Sequence, residues 1–125
     1  MATQTAKISY TDNTEIICLT LDSKGYDKLT LRCASTLAGT LKTIYRLGDG
    51  SFADDQSITI GASSTSSRSP KDANGVTVAL GTIYDSMVTS VFDYRLGNMF
   101  VTFTPGSSAS CTVFVEAITS KAGEK

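Results

Sequence analysis

The sequence predicts an all-β fold, a β-sandwich or small β-barrel of about eight strands. Three observations carry that expectation. Short runs rich in β-branched residues, many alternating apolar with polar, recur roughly every dozen residues. Clusters of Gly, Asn, Asp and Ser separate them, the residues that tight turns use. Serine and threonine make up about a quarter of the 125 residues, and threonine's branched Cβ suits a pleated, half-buried surface. A chain this long fits one domain spanning residues 1–125. It can bury roughly two thirds of the surface its unfolded form exposes, enough for a core without metal or disulfide.

Taken in order, "TAKISY" is the first strand and stops at "TDNT". "EIICLTL" follows, with Ile17, Leu19 and Leu21 expected on one face by the two-residue period. "KLTLRCA" places Leu29, Leu31 and Cys33 on one face and Thr30 and Arg32 on the other. "TLKTIYRL" presents Leu41, Tyr45 and Leu47. "SITI" and "VTVAL" flank a polar segment, "GASSTSSRSPKDANG", read as a long loop at 61–75. "NMFVTFT" and "CTVFVEAIT" close the chain, the latter with Val113, Val115 and Ala117 on one side.

One segment reads two ways. In "TIYDSMVTSVFDYRLGN" the apolar positions 83, 84, 87, 88, 91 and 92 fit a helical face, and Thr82 with Asp85 mimics a capping box. A short helix near residues 83–96 therefore competes with a strand. The β-branched Val88, Thr89 and Val91 and the all-β context favour the strand, with Gly97-Asn98 turning it into "MFVTF". That segment also echoes an earlier one. "TIYRLGDGSF" and "VFDYRLGNMF" share Tyr-Arg-Leu-Gly. Shared turn chemistry accounts for this more simply than two equivalent hairpins do, since no longer repeat appears.

Composition excludes several chemistries. The chain has no histidine, so histidine-activated nucleophiles and histidine general bases are ruled out. Three cysteines, Cys18, Cys33 and Cys111, lie far apart in strand-like segments. They read as reduced core thiols, with Cys18 and Cys33 the one pair close enough in sequence to face across a hairpin. No phosphate-binding glycine fingerprint follows a strand. The best carboxylate cluster, "GDGSFADDQ" with Asp49, Ser51, Asp54 and Asp55, lacks the glycine and the terminal acid of a calcium loop. Asp54 and Asp55, being adjacent, point apart on an extended chain. No metal, no cofactor and no catalytic residue is expected. Net charge is −1 and the basic residues are scattered, which argues against nucleic acid as a partner. "MATQTAKISY" has no secretory apolar stretch and no run approaches a membrane span, so the expected place of synthesis is a cytoplasm.

The 61–75 loop is the candidate site. A loop that long without secondary structure is usually functional or disordered. Its small hydroxyl residues cannot anchor it by burial. Ser64, Ser66, Arg68, Lys71 and Asp72 are therefore the expected partner-binding residues, free to bond a neighbour.

The short leader "MATQTAKISY", the Ser/Thr-rich strands, "RLGDGSF", the polar insert and the closing "TPGSSASCTVFVEAITSK" resemble small virion proteins of tailed bacteriophages, of the capsid decoration or cement type. The resemblance implies a non-catalytic virion protein made in the host cytoplasm. It implies binding to the major capsid protein or another virion protein, as a symmetric oligomer with a trimer favoured. The alternative is a carbohydrate-binding or adhesin-like sandwich, for which the chain offers Tyr10, Tyr26 and the Asp49 cluster.

Overall fold

The computed structural model describes residues 2–21, 28–79, 81–85, 87–93 and 99–121. They form ten strands, and no helix is found among the described residues. The strands are β1 (Ala2–Tyr10), β2 (Ile16–Leu21), β3 (Lys28–Ser35), β4 (Gly39–Arg46), β5 (Phe52–Ile60), β6 (Thr65–Arg68), β7 (Gly81–Tyr84), β8 (Val88–Asp93), β9 (Met99–Pro105) and β10 (Cys111–Ser120).

Their pairing is that of a nested hairpin. β1 pairs with β10, β2 with β9, β3 with β8 and β4 with β5, all antiparallel. Rolling the hairpin adds β10 against β3 and β4 against β9. Two four-stranded sheets result, β1-β10-β3-β8 and β2-β9-β4-β5, with β6-β7 as a separate two-stranded ribbon. This is the strand order of a jelly-roll sandwich.

Alternation builds the core between the sheets. β3 and β10 contribute Leu29, Leu31, Cys33, Cys111, Val113, Val115 and Ala117. From the facing sheet come Leu19, Leu21, Leu41, Ile60, Met99, Val101 and Phe103. Each large apolar side chain so buried contributes about 1.5–3 kcal/mol. One end is closed by a polar link: Ser35 Oγ lies 3.3 Å from Cys111 Sγ and accepts from Leu37 N at 3.2 Å.

Four local expectations change. Ile17 does not share a face with Leu19 and Leu21. Ile17 pairs with Thr102 and Leu19 with Val101, so Cys18 is an extra residue in the ladder. That bulge turns Ile17 outward, 51% exposed. "VTVAL" is no strand of either sheet; Thr77 makes only an isolated bridge to Lys71. Residues 83–96 hold strands as far as they are described, β7 and β8, while Tyr94, Arg95, Leu96, Gly97 and Asn98 lie outside the described residues. β8 and β9 do not pair: β8 binds β3, and β9 binds β2 and β4, in the other sheet. The Tyr-Arg-Leu-Gly echo therefore does not mark two equivalent hairpins. Likewise β2 and β3 belong to different sheets, so Cys18 and Cys33 do not face across a hairpin, and all three thiols are free.

Candidate functional site

The polar insert is not a structureless loop. It leaves β5 at Gly61 and is tied at once to the end of β3. Ala62 bridges Ser35, and Ser63 donates to the Ser35 carbonyl from its N–H at 2.9 Å and from its hydroxyl at 2.8 Å. Thr65–Arg68 then pair with Gly81–Tyr84, Thr65 opposite Tyr84 and Arg68 opposite Gly81. Between them the chain reverses in a tight turn. Asp72 accepts from Asn74 N and Val76 N through Oδ1, and Gly75 takes φ 79°, a conformation that favours glycine. Lys71 bridges Thr77, and Val78 N donates to the Pro70 carbonyl at 2.8 Å.

One carboxylate organises the base of this hairpin. Asp85 Oδ2 accepts from the Ser64 hydroxyl, and Oδ1 from Ser66 Oγ at 3.0 Å and Arg68 Nη2 at 3.2 Å. Asp85 N closes the ring on the Ser64 carbonyl at 2.8 Å. These bonds, Ser64 first and Ser66 next, hold the Asp85 carboxyl below its usual range. The hairpin is also pinned to the first sheet. The Tyr84 ring lies 6.2 Å from that of Phe114, tilted 31°. Phe114 alternates away from the core beside its partner Ala34, which is buried although it too faces outward.

The five expected partner-binding residues thus divide. Ser64, Ser66 and Arg68 converge on Asp85, and Asp72 builds its own turn, so these four are not free groups on an arm. Lys71 stands at the turn, where Val76 and Val78 are exposed at 59% and 40%. Serine alone could not reveal this. The acceptor lies some twenty residues further on, and only the β6–β7 pairing brings it near.

The carboxylates of "GDGSFADDQ" do not converge. Asp49 accepts from the Ser51 N–H and hydroxyl within its turn, and these bonds lower its pKa. Asp54 pairs with Lys42 Nζ at 3.2 Å. Asp55, the bulged residue opposite β4, accepts from Thr43 Oγ1 at 3.0 Å. No group of acidic or thiol ligands that could hold a metal occurs among the described residues. Burial pushes the Cys18 thiol up to about 11 and Cys33 to about 12, which leaves both as unreactive core groups. Tyr10 packs against the core, its hydroxyl unpartnered among the described residues and its pKa pushed up to about 12, chiefly by burial. It is no open stacking platform; Tyr26 lies outside the described residues.

One surface has no counterpart in the sequence reading. On the outer face of the second sheet, Glu15, Ile17, Ile44, Phe52, Asp54 and Thr102 line an open groove of about 250 Å³. Phe52 meets Phe100 edge-on at 5.6 Å, and Thr102 Oγ1 donates to Glu15 Oε2 at 2.6 Å. The bulge at Cys18 turns Ile17 outward and that at Asp55 turns Phe52 and Asp54 outward, beside Ile44 and Thr102, and alternation alone gives no sign of either bulge.

No known protein family and no curated protein sequence matches this chain. Among solved structures it is similar to the Yersinia pseudotuberculosis-derived mitogen, with TM-score 0.55 and 14% identity over 99% of this chain and 89% of that one. Two further similarities have TM-scores below 0.5 and bear on neither fold nor function. The SPBc2 prophage-derived protein YomS gives 0.44, with 10% identity over 96% of both chains. The disulfide-linked pili of Bacillus endospore appendages give 0.43, with 11% identity over 94% of this chain and 87% of that one. At this level of identity, the likeness to the mitogen is one of fold alone: an all-β sandwich.

Proposed function

We propose that this chain is a non-catalytic structural protein that works by contact, on the surface of an assembled capsid lattice or a related head or tail part of a virion. The observation that carries the reading is the mounted hairpin. Asp85, Tyr84 and Ser63 fix its base, so the turn bearing Lys71, Val76 and Val78 is held out on a rigid support. Presenting two exposed valines and a lysine this way keeps the ordering cost of a contact low, because the loop is already organised. A jelly roll is shared by capsid and lectin domains, so the fold by itself favours neither. In this reading Ser64, Ser66 and Arg68 serve the partner surface by holding it, Asp72 by shaping it, and Lys71 by contact. The partner is the major capsid protein or another virion protein.

The test is co-sedimentation with purified capsids of the producing virus, using the natural chain and the triple substitution Lys71→Glu, Val76→Asp, Val78→Asp. All three positions are exposed, so folding is kept. The expected result is that the natural chain pellets with particles and the variant stays in solution. Equal pelleting of both, or of neither, overturns the reading; saturable binding to a glycan array in place of capsids establishes the carbohydrate-binding alternative.

A further inference from the structure

We propose that β1 is a docking edge for a second copy of this chain, and that two β1 strands pair antiparallel about a two-fold axis at Ala6. The inference rests on the strand geometry alone and holds whatever else the protein binds.

The two sheets have four edges: β1, β8, β2 and β5. An edge strand presents unpaired N–H and C=O groups, and proteins defend it by shortness, bulges or charge. Two of the other edges are so defended. β2 has a bulge at Cys18. β5 is bulged at Asp55 and carries Asp54 beside it. β8 has no bulge against β3, but its described part, Val88–Asp93, offers six residues for pairing where β1 offers nine. β1 is neither short nor bulged. It runs nine residues, Ala2–Tyr10, in unbroken register with β10, with no proline, no glycine and one charge, Lys7. Its other side faces no described strand.

Side-chain facing, charge and strand length together select the register. Gln4, Ala6, Ile8 and Tyr10 are half-buried, and Thr3, Thr5, Lys7 and Ser9 are exposed. The two-fold must fall on a residue, because a two-fold between residues would set core-side positions opposite solvent-side ones. Ala6 is the middle of the strand and the one centre that uses all nine residues. Ala6 then meets Ala6, Thr5 meets Lys7, Gln4 meets Ile8, Thr3 meets Ser9 and Ala2 meets Tyr10. Centring on Lys7 would set the two lysines against each other, which is unfavourable. With Ala6 at the axis, each lysine faces a threonine, and the first sheet continues through the axis as eight strands. Such a self-complementary contact closes at two copies.

Two measurements on the full chain test this. The first is sedimentation equilibrium. Thr5→Lys sets two lysines opposite Lys7 in the pair but opposite Glu116 within its own chain, so it folds. It should raise the dimer Kd about two- to thirtyfold, since two cross-strand pairs change. Adding Lys7→Glu to Thr5→Lys should restore or tighten the dimer. The second is oxidative cross-linking. Ala6→Cys lies directly opposite its copy, at about 4.5–5.5 Å between Cα atoms, within disulfide reach. Thr3→Cys lies roughly 20 Å from its copy and should not cross-link beyond the natural chain. A monomer at millimolar concentration, a trimer, or a dimer indifferent to the Thr5 and Lys7 substitutions and not trapped by Ala6→Cys overturns the proposal.

Discussion

Gly39 opens β4 opposite Pro105. A Cβ placed there would sit 2.5 Å from Phe103 Cζ and 2.5 Å from the Thr104 carbonyl oxygen. Phe103 is fully buried in the core, and the carbonyl belongs to a central strand, so neither can simply swing away. Overpacking of this kind costs about 1–3 kcal/mol. Losing glycine's freedom in the unfolded chain returns about 0.4–1 kcal/mol. The net expectation for Gly39→Ala is about 1–2 kcal/mol of destabilisation. Unfolding entropy near 2.1 cal/mol/K per residue gives about 0.26 kcal/mol/K for this chain, so Tm should fall by about 4–8 °C. Differential scanning calorimetry and urea titration measure it. Gly48→Ala is the control, because nothing lies within 4 Å of its would-be Cβ and its φ is not positive. Phe103→Leu removes one of the two clashing atoms, so the double substitution should cost less than the sum of the singles. An unchanged or raised Tm for Gly39→Ala would refute the reasoning, and with it the close approach of β4 to β9.

Three further outcomes are expected. Ser64→Ala with Ser66→Ala should speed amide exchange across β6 and β7 with little change in Tm, and should raise the Asp85 pKa in an NMR titration, since those hydroxyls hold it down; unaltered exchange would show that the Asp85 bonds do not hold the hairpin. Cys18 and Cys33 titrate near 11 and 12 when folded against 9.0 for a free thiol, so the unfolded chain loses protons first as pH rises. Their contribution is therefore complete below about pH 9 and lost progressively above it, and the urea midpoint should fall between pH 8 and pH 10.5 while native thiols resist labelling at pH 8. Calcium against EDTA should leave Tm unchanged, because Asp49, Asp54 and Asp55 bind separate partners; a site filled to a hundredfold over Kd would add about 2.7 kcal/mol and be plain in the melt.

What the sequence determined by itself is the strand content and much of the core. Leu29, Leu31, Cys33, Val113, Val115 and Ala117 are buried as their two-residue period requires, because alternation is a property of one strand and needs no knowledge of its neighbours. Which strands pair is another matter. The nested hairpin joins β1 to β10 and β2 to β9 across most of the chain, and no local pattern encodes so distant a partner. The same distance hid the insert's anchor: Ser64, Ser66 and Arg68 look free until β6–β7 pairing delivers Asp85. The outer groove escaped for a different reason. A single extra residue at Cys18 reverses the face of Ile17, and a bulge costs so little in one strand that only the register of the neighbouring strand discloses it.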